Sequence, residues 1–329
     1  MRQPQVAVRL TSLAAALALV VPVALGLRAL VIALAFLLEF LTDGHLPILS
    51  LLTPAPLRSA LDVGIDRYRP SGFMGGAPLV LVHGLAPDGK DDPRLRQAAI
   101  LLARAGFDVA VPTLPGLTRG RLRPEDAGPV VAALKARPGS ACLVSVSVGA
   151  APAFLAAAEP EIRDRVRLVL ALGGYASALE LIRFHLTGDY AWGGVRGHVA
   201  HDPALTRMIM DANAELAAPA LREALATGDR ARVEAGLASL PAETRALIAR
   251  LSPERVVGDV RAPIVLVHGR DDPAVPFTES LRLAAARPDG TRVVLVGSIG
   301  HVEGAAGGGG ALSDLARLLG AVYALVALG

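Results

Sequence analysis

The 329-residue chain reads as an α/β protein. It should have a mostly parallel central sheet flanked by helices, a helical lid insertion and an N-terminal hydrophobic helix. Three observations predict this. Short apolar runs end abruptly in glycine, serine or histidine, as strands covered on both faces do. Helix-patterned segments with short loops separate these runs, which implies parallel strands joined by right-handed crossovers. The first residues form a long apolar stretch of a different character from the rest.

That stretch sets residues 1–45 apart as an anchor region ahead of a domain over 60–329. A short positive segment carrying Arg2 and Arg9 leads into Leu10–Leu27, apolar except for Thr11 and Ser12. About 20 apolar residues cross a bilayer, so this run is just long enough. After Arg28 a second run, Ala29 to Leu41, is broken by Glu39. It is too short to span alone, and either lies at the interface or packs on the domain. The whole reads as an uncleaved signal anchor. The positive N-terminus favours a cytoplasmic start and a catalytic domain outside an inner membrane, for a bacterial source. Competing readings are a cleavable signal peptide cut near Ala24-Leu25-Gly26, a helical hairpin returning the chain to the cytoplasm, and a core helix of a soluble protein.

The next elements follow in order. Leu61 to Tyr68 alternates like an edge strand. Ala77 to Val82 is a buried strand breaking at His83-Gly84. Asp92 to Ala105 is a helix ended by Gly106, and Phe107 to Val111 the next strand. Pro124 to Ala136 is a helix. The segment Ala141 to Val146 is a strand running into Ser147-Val148-Gly149, and Val148 to Ala158 is the helix after it. Val166 to Leu172 is a strand ending in Gly173-Gly174. A lid insertion of about 175–260 follows, with helices over Ala176–Leu186, Pro203–Ala226, Asp229–Leu240 and Pro241–Leu251. Strands Pro263–Val267 and Thr291–Val296 come next. After the glycine run Gly307–Gly310 the last helix is Ala311–Leu328.

Composition narrows the functional classes. The formal net charge is +3 and the pI about 9.4, but the basic residues are scattered, which argues against nucleic acid. The single cysteine, Cys142, excludes an intrachain disulfide framework and reads as a small core residue. The run Gly304–Gly310 lacks the Lys-Ser/Thr ending of a phosphate loop. His198 and His201 read as solvated loop histidines rather than metal ligands. No metal or cofactor is expected.

The chemistry concentrates in four segments. Ser147 stands between a strand and a helix, flanked by the small residues Ser145 and Gly149, as a strained strand-to-helix turn that exposes a nucleophile requires. The Val148 N–H and the helix dipole both face charge developing there. His83-Gly84-Leu85 offers a second backbone N–H, that of Leu85, while the His83 ring is a structural loop histidine. In Gly269-Arg270-Asp271-Asp272-Pro273-Ala274-Val275-Pro276 an acid ends a buried strand, where it can orient an imidazole; Asp272 has the spacing and Asp271 is its solvated or capping neighbour. His301 follows the last strand and supplies a general base.

In this order, Ser147, Asp272 and His301, the chain resembles the α/β-hydrolase family. The stretch from His83-Gly84 to Asp91-Asp92-Pro93-Arg94 is similar to the dienelactone-hydrolase-like and prolyl-peptidase-like branch. Dienelactone hydrolases carry cysteine where this chain carries Ser147. The resemblance spans roughly 60–329. It implies a serine hydrolase with Ser147, His301 and Asp272 as triad and Leu85 and Val148 as the oxyanion hole. A carboxylic ester or related acyl bond would be cleaved through an acyl-enzyme. The same site could serve an acyltransferase or thioesterase, and a non-catalytic, membrane-tethered binding protein is the alternative of another class. The partner implied is a small-molecule or lipid-like acyl substrate. Tyr190 and Trp192, on a glycine-rich stretch of the insertion, either wall an apolar substrate pocket or anchor the insertion to the core.

Overall fold

The computed structural model describes residues 4–72, 76–201, 203–216, 223, 230–297 and 311–329. Its strands are β1 (Leu57–Asp62), β2 (Ile65–Arg69), β3 (Ala77–Val82), β4 (Phe107–Pro112), β5 (Ala141–Val146), β6 (Val166–Leu172), β7 (Asp189–Trp192), β8 (Val195–His198), β9 (Ile264–Gly269) and β10 (Thr291–Val296). Its α-helices are α1 (Pro4–Leu41), α2 (Ile48–Leu52), α3 (Pro93–Arg104), α4 (Ala127–Lys135), α5 (Ala150–Ala158), α6 (Ala178–Thr187), α7 (Pro203–Ala212), α8 (Arg230–Ala238), α9 (Ala242–Arg250), α10 (Thr278–Ala286) and α11 (Ala311–Val326).

Eight strands form one sheet in the order β1-β2-β4-β3-β5-β6-β9-β10. β2 runs antiparallel to both its neighbours. From β4 to β10 every neighbouring pair is parallel. The strand residues alternate between two buried layers. Val80, Val82 and Leu143 face a core shared with α4 and α5. Leu79, Leu81, Cys142 and Val144 face a second core shared with α1, α3 and α11. Burial on both faces explains why these strands carry continuous apolar runs.

The parallel crossovers reverse at β3. The chain goes from β3 to β4 on one side, then returns past β3 to β5 on the other. Adjacent parallel strands whose connections leave in opposite directions open a crevice at their carboxyl ends. The loops that carry the expected site residues Ser147 and Leu85 leave the sheet there.

Local signals account for the helix ends. Asp92 caps α3, its carboxylate accepting from the N–H groups of Arg94 and Leu95, with Pro93 at the first helical position. Ser177 caps α6, and Gly188, at φ +75°, ends it.

The structure corrects several element boundaries. The expected single strand over Leu61–Tyr68 is the hairpin of β1 and β2, turning at Gly64 with φ +74°. The glycine-rich stretch carrying Tyr190 and Trp192 is a second hairpin, β7-β8. Gly193 and Gly194 both have positive φ, as a two-residue hairpin turn with matching twist demands. The expected helix Pro203–Ala226 is α7 only to Ala212, with a turn over Asn213–Leu216; 217–222 and 224–229 lie outside the described residues.

The N-terminal correction is larger. The two apolar runs are one 38-residue helix, α1, with Pro22 inside it. The helical-hairpin reading is excluded, because the helix continues through Arg28. Of the two fates weighed for the second run, it packs on the domain: Ala29, Ala33, Phe36 and Leu37 are buried in the second core. Glu39, which interrupts the run, is buried and accepts from the N–H and the hydroxyl of Ser50. Its charge is thus partnered, as burial requires. Leu49 of α2 joins the same core, so the packed unit extends well upstream of residue 60.

Candidate active site

The register aligns the functional loops. Val146 pairs with Leu172, Leu172 with Val267, and Val267 with Val294. These residues form one row across β5, β6, β9 and β10, near the carboxyl ends of all four strands. Ser147 follows that row directly on β5. Asp272 follows it in the loop after β9, two strands away and so roughly 10 Å across the sheet. The chain after β10 leads to residue 301. His301, the expected base, lies outside the described residues.

Ser147 has φ +53°. Among the described non-glycine residues only Asp43 shares a positive φ. For a side chain with Cβ this region costs about 1–3 kcal/mol. The strain is imposed by close packing. A Cβ added at Gly149 would collide with the His83 carbonyl oxygen, so the turn after Ser147 can approach the β3 loop only with glycine there. A Cβ at Gly84 would stand 3.0 Å from the Val146 carbonyl oxygen, 3.1 Å from Ser147 Cβ and 3.7 Å from Ser147 Oγ. The end of β3 and the serine turn are therefore in direct contact, and Ser147 is only 8% exposed. Ser145 is fully buried, and its hydroxyl has no hydrogen-bond partner among the described residues.

His83 fixes the loop that follows β3. Its Nδ1 is 2.7 Å from the Gly84 carbonyl oxygen, and its Nε2 accepts from the Leu114 N–H at 2.9 Å. A carbonyl only accepts and an amide N–H only donates. The ring is therefore neutral, with its proton on Nδ1. Burial pushes its pKa below the usual value, opposed by the Gly84 bond and by Asp126 and Asp92. The expected structural role of this histidine is what the geometry shows. The Gly84 carbonyl and the Leu85 N–H belong to one peptide unit, so the ring sets the orientation of that unit. Among the described residues the Leu85 N–H has no acceptor. Val148, the other expected oxyanion donor, begins the turn behind Ser147 and is buried.

The acid loop is built as firmly. Asp272 is 4% exposed. Its Oδ1 accepts from the N–H groups of Ala274 and Val275 at 2.8 and 3.0 Å. Its neighbour Asp271 is exposed. His268, at the end of β9, was given no part by sequence reasoning. Its Nε2 donates to the Val275 carbonyl at 2.9 Å, which leaves Nδ1 to accept from the Ser280 hydroxyl at 2.7 Å. It clamps the loop to α10 and sits 3.5 Å from Asp272 Oδ2. Glu279, also overlooked, is buried and accepts from the N–H groups of Ala176 and Ser177. Burial raises its pKa against those bonds and Arg282. It ties α10 to the exit of β6. No spacing marks either residue in the sequence; their roles arise only from the fold.

Tyr190 and Trp192 make anchoring contacts. The Tyr190 ring packs edge-on against Phe184 of α6 at 6.1 Å and against Phe277 of the acid loop at 5.9 Å. The Arg282 guanidinium of α10 covers the Trp192 ring at 4.1 Å. Both side chains thus join the β7-β8 hairpin to the core beside the acid loop. His198 is exposed and 2.9 Å from Asp189 Oδ1, while His201 lies edge-on to Phe184. No group of three or more metal-ligating side chains occurs among the described residues.

No family profile and no curated protein sequence matches the chain. Solved structures do. A Mycobacterium tuberculosis puromycin-hydrolyzing peptidase matches with a TM-score of 0.51 and 17% identity, over 82% of this chain and 38% of that one. An acylaminoacyl peptidase from Pyrococcus horikoshii gives 0.49 and 14%, over 82% and 40%. Est1E from Butyrivibrio proteoclasticus gives 0.46 and 14%, over 82% and 97%. The chain spans about two-fifths of the length of the two peptidases. A mostly parallel sheet whose connections reverse at β3, with a serine held in a left-handed turn beside that reversal, is the α/β-hydrolase fold, and this chain has it.

Proposed function

We propose that this protein is a serine hydrolase that cleaves a carboxylic ester or related acyl bond through an acyl-enzyme on Ser147. The observation that carries the reading is the strained backbone at Ser147, pressed against the glycines of two neighbouring turns. Strain of this kind persists only where the surroundings over-determine it, and it clusters at reacting positions. In the proposed mechanism His301 takes the Ser147 proton as Oγ attacks the acyl carbonyl. Asp272 orients His301 and stabilises its cationic form. The N–H groups of Leu85 and Val148 hold the oxyanion. His301 then protonates the leaving group, and a water activated by the same imidazole releases the acyl product.

Two features support the division of labour. The Leu85 N–H belongs to a peptide unit that His83 holds in place, as a preorganised donor should be. Asp272 has one oxygen committed to backbone N–H groups, which fixes the carboxylate plane. The domain organisation proposed is a membrane-anchoring N-terminal helix, a hydrolase domain and an insertion of about 175–260 beside the acid loop. The helix is read as a span, with the catalytic domain on the outer side of an inner membrane.

A fluorophosphonate probe tests the nucleophile. The wild-type protein should be labelled once, at Ser147, and Ser147→Ala should show no labelling while keeping its circular dichroism spectrum. Labelling that survives in Ser147→Ala refutes the assignment.

A further inference from the structure

The end of the sheet opposite Ser147 carries a second candidate ligand site. A groove of about 480 Å³ lies at the amino ends of β6, β9 and β10, under α11. Its walls include Leu168, Val265, Ala324 and Leu328, with Arg167 and Arg292 among them. Arg167 Nη1 donates to the Leu328 carbonyl at 2.9 Å, and Arg292 lies along α11 at Gly320. Neither guanidinium has a carboxylate within salt-bridge distance among the described residues. Two cations on an apolar groove suit an anion that also carries a hydrocarbon chain.

The fold places this groove where α1 leaves the domain. α11 begins near the carboxyl end of β10, where the Gly297 N–H donates to Asp314, and descends to Leu328 at the amino ends. A Cβ added at Gly26 of α1 would stand 3.5 Å from the Tyr323 hydroxyl, near the foot of α11. From there α1 rises along the domain, and the turn after it reaches Gln97 in the upper part of α3. Its other half, before Gly26, therefore projects past the amino ends of the strands. Val20, Val23 and Leu25 are each more than half exposed there. A helix apolar on all sides is stable in lipid, not water. The membrane then lies below the groove, and Ser147 faces away from it, roughly 20 Å higher by strand length.

We propose that the groove binds an anionic phospholipid of that membrane. Arg167 and Arg292 take the phosphate, and an acyl chain lies along Val265, Ala324 and Leu328. This rests on reading α1 as a membrane span. The ligand would brace α11 and so hold the domain upright on α1.

The test uses the full chain in neutral detergent micelles, with bound lipid counted by native mass spectrometry. Dioleoylphosphatidylglycerol should be retained over dioleoylphosphatidylcholine by about ten- to thirty-fold, the scale set by two arginines at a lipid surface. Arg167→Gln/Arg292→Gln should abolish that preference. Because loss of the Leu328 bond could loosen α11, Arg292→Gln alone and Ala324→Phe, which fills the groove with both arginines present, should each weaken retention at an unchanged melting temperature. Equal retention of the two lipids, or an undiminished preference in the variants, overturns the proposal. Displacement of phosphatidylglycerol by equimolar inorganic phosphate overturns it in favour of a free-phosphate site. Flotation with phosphatidylcholine vesicles reads the span separately: wild type and variants should all float. If none floats while the micelle preference holds, the span reading fails and the anionic-lipid site stands.

Discussion

At the residue scale, the turn at Ser147 holds backbone strain, and each contributor can be tested. Ser147→Gly removes the penalty of a left-handed Cβ-bearing residue, so it should stabilise the protein by about 1 kcal/mol while eliminating activity. Gly149→Ala should destabilise instead. Its new methyl meets the His83 carbonyl oxygen, and the backbone shift should cost about 2 kcal/mol or more, read as a lower melting temperature with lost turnover. Ser145→Ala removes an unpaired buried hydroxyl and should be neutral or stabilising. His83 predicts a pH response. Its folded pKa is lowered below 6.5 by burial, so the unfolded chain binds the proton more readily. Stability is therefore complete above pH 6.5 and declines as the pH falls from there through the folded value. A proton on Nε2 would oppose the Leu114 N–H. In His83→Gln, whose amide can still reach Gly84, the decline in melting temperature over that window should be shallower than in wild type.

At the scale of elements, the parallel part of the sheet was readable because its strands are buried on both faces and advertise themselves as apolar runs. β6 begins and ends where the sequence places it, at Val166 and Leu172, and α3, α5 and α11 are close. The misses share a cause: period and turn chemistry. The alternation over Leu61–Tyr68 concealed the turn at Gly64, and two glycines after Trp192 were read as a loop although Gly-Gly is a hairpin turn signal. The serine turn was legible because its steric demands fall on adjacent small residues. Glu279 was not, because its partners Ala176 and Ser177 reach it only through the order of the strands, and His268 was not, because Val275 and Ser280 meet its ring only once the loop after β9 folds back onto it. His268→Ala should loosen the Asp272 loop and lower kcat without affecting fluorophosphonate labelling at long times; unchanged turnover would remove its positioning role.

For the whole molecule, α1 is a structural member of the domain as well as the proposed span. Phe36 and Leu37 of α1 and Leu49 of α2 lie in the second core. Burying three side chains of this size is worth roughly 5–9 kcal/mol, comparable with the entire stability of a domain. A chain starting at residue 61 should therefore be unfolded or aggregated. One starting near residue 26 keeps that face and should fold. Comparing the two by thermal melting checks the claim. The orientation also bears on substrate. In the proposed orientation, with the groove end of the sheet toward the membrane, Ser147 would open to the aqueous side, and the proposed hydrolase would then take acyl substrates that diffuse in water over lipids drawn from the bilayer.

The most direct measurement quenches the wild-type protein during turnover of p-nitrophenyl acetate and maps the adduct by peptide mass spectrometry. The account predicts one acetyl group, on the peptide carrying Ser147, absent from Ser147→Ala and formed at least 1,000-fold more slowly in His301→Ala, on the order expected for loss of a triad member. Acetylation elsewhere with Ser147 unmodified, or undiminished acetylation in His301→Ala, contradicts it.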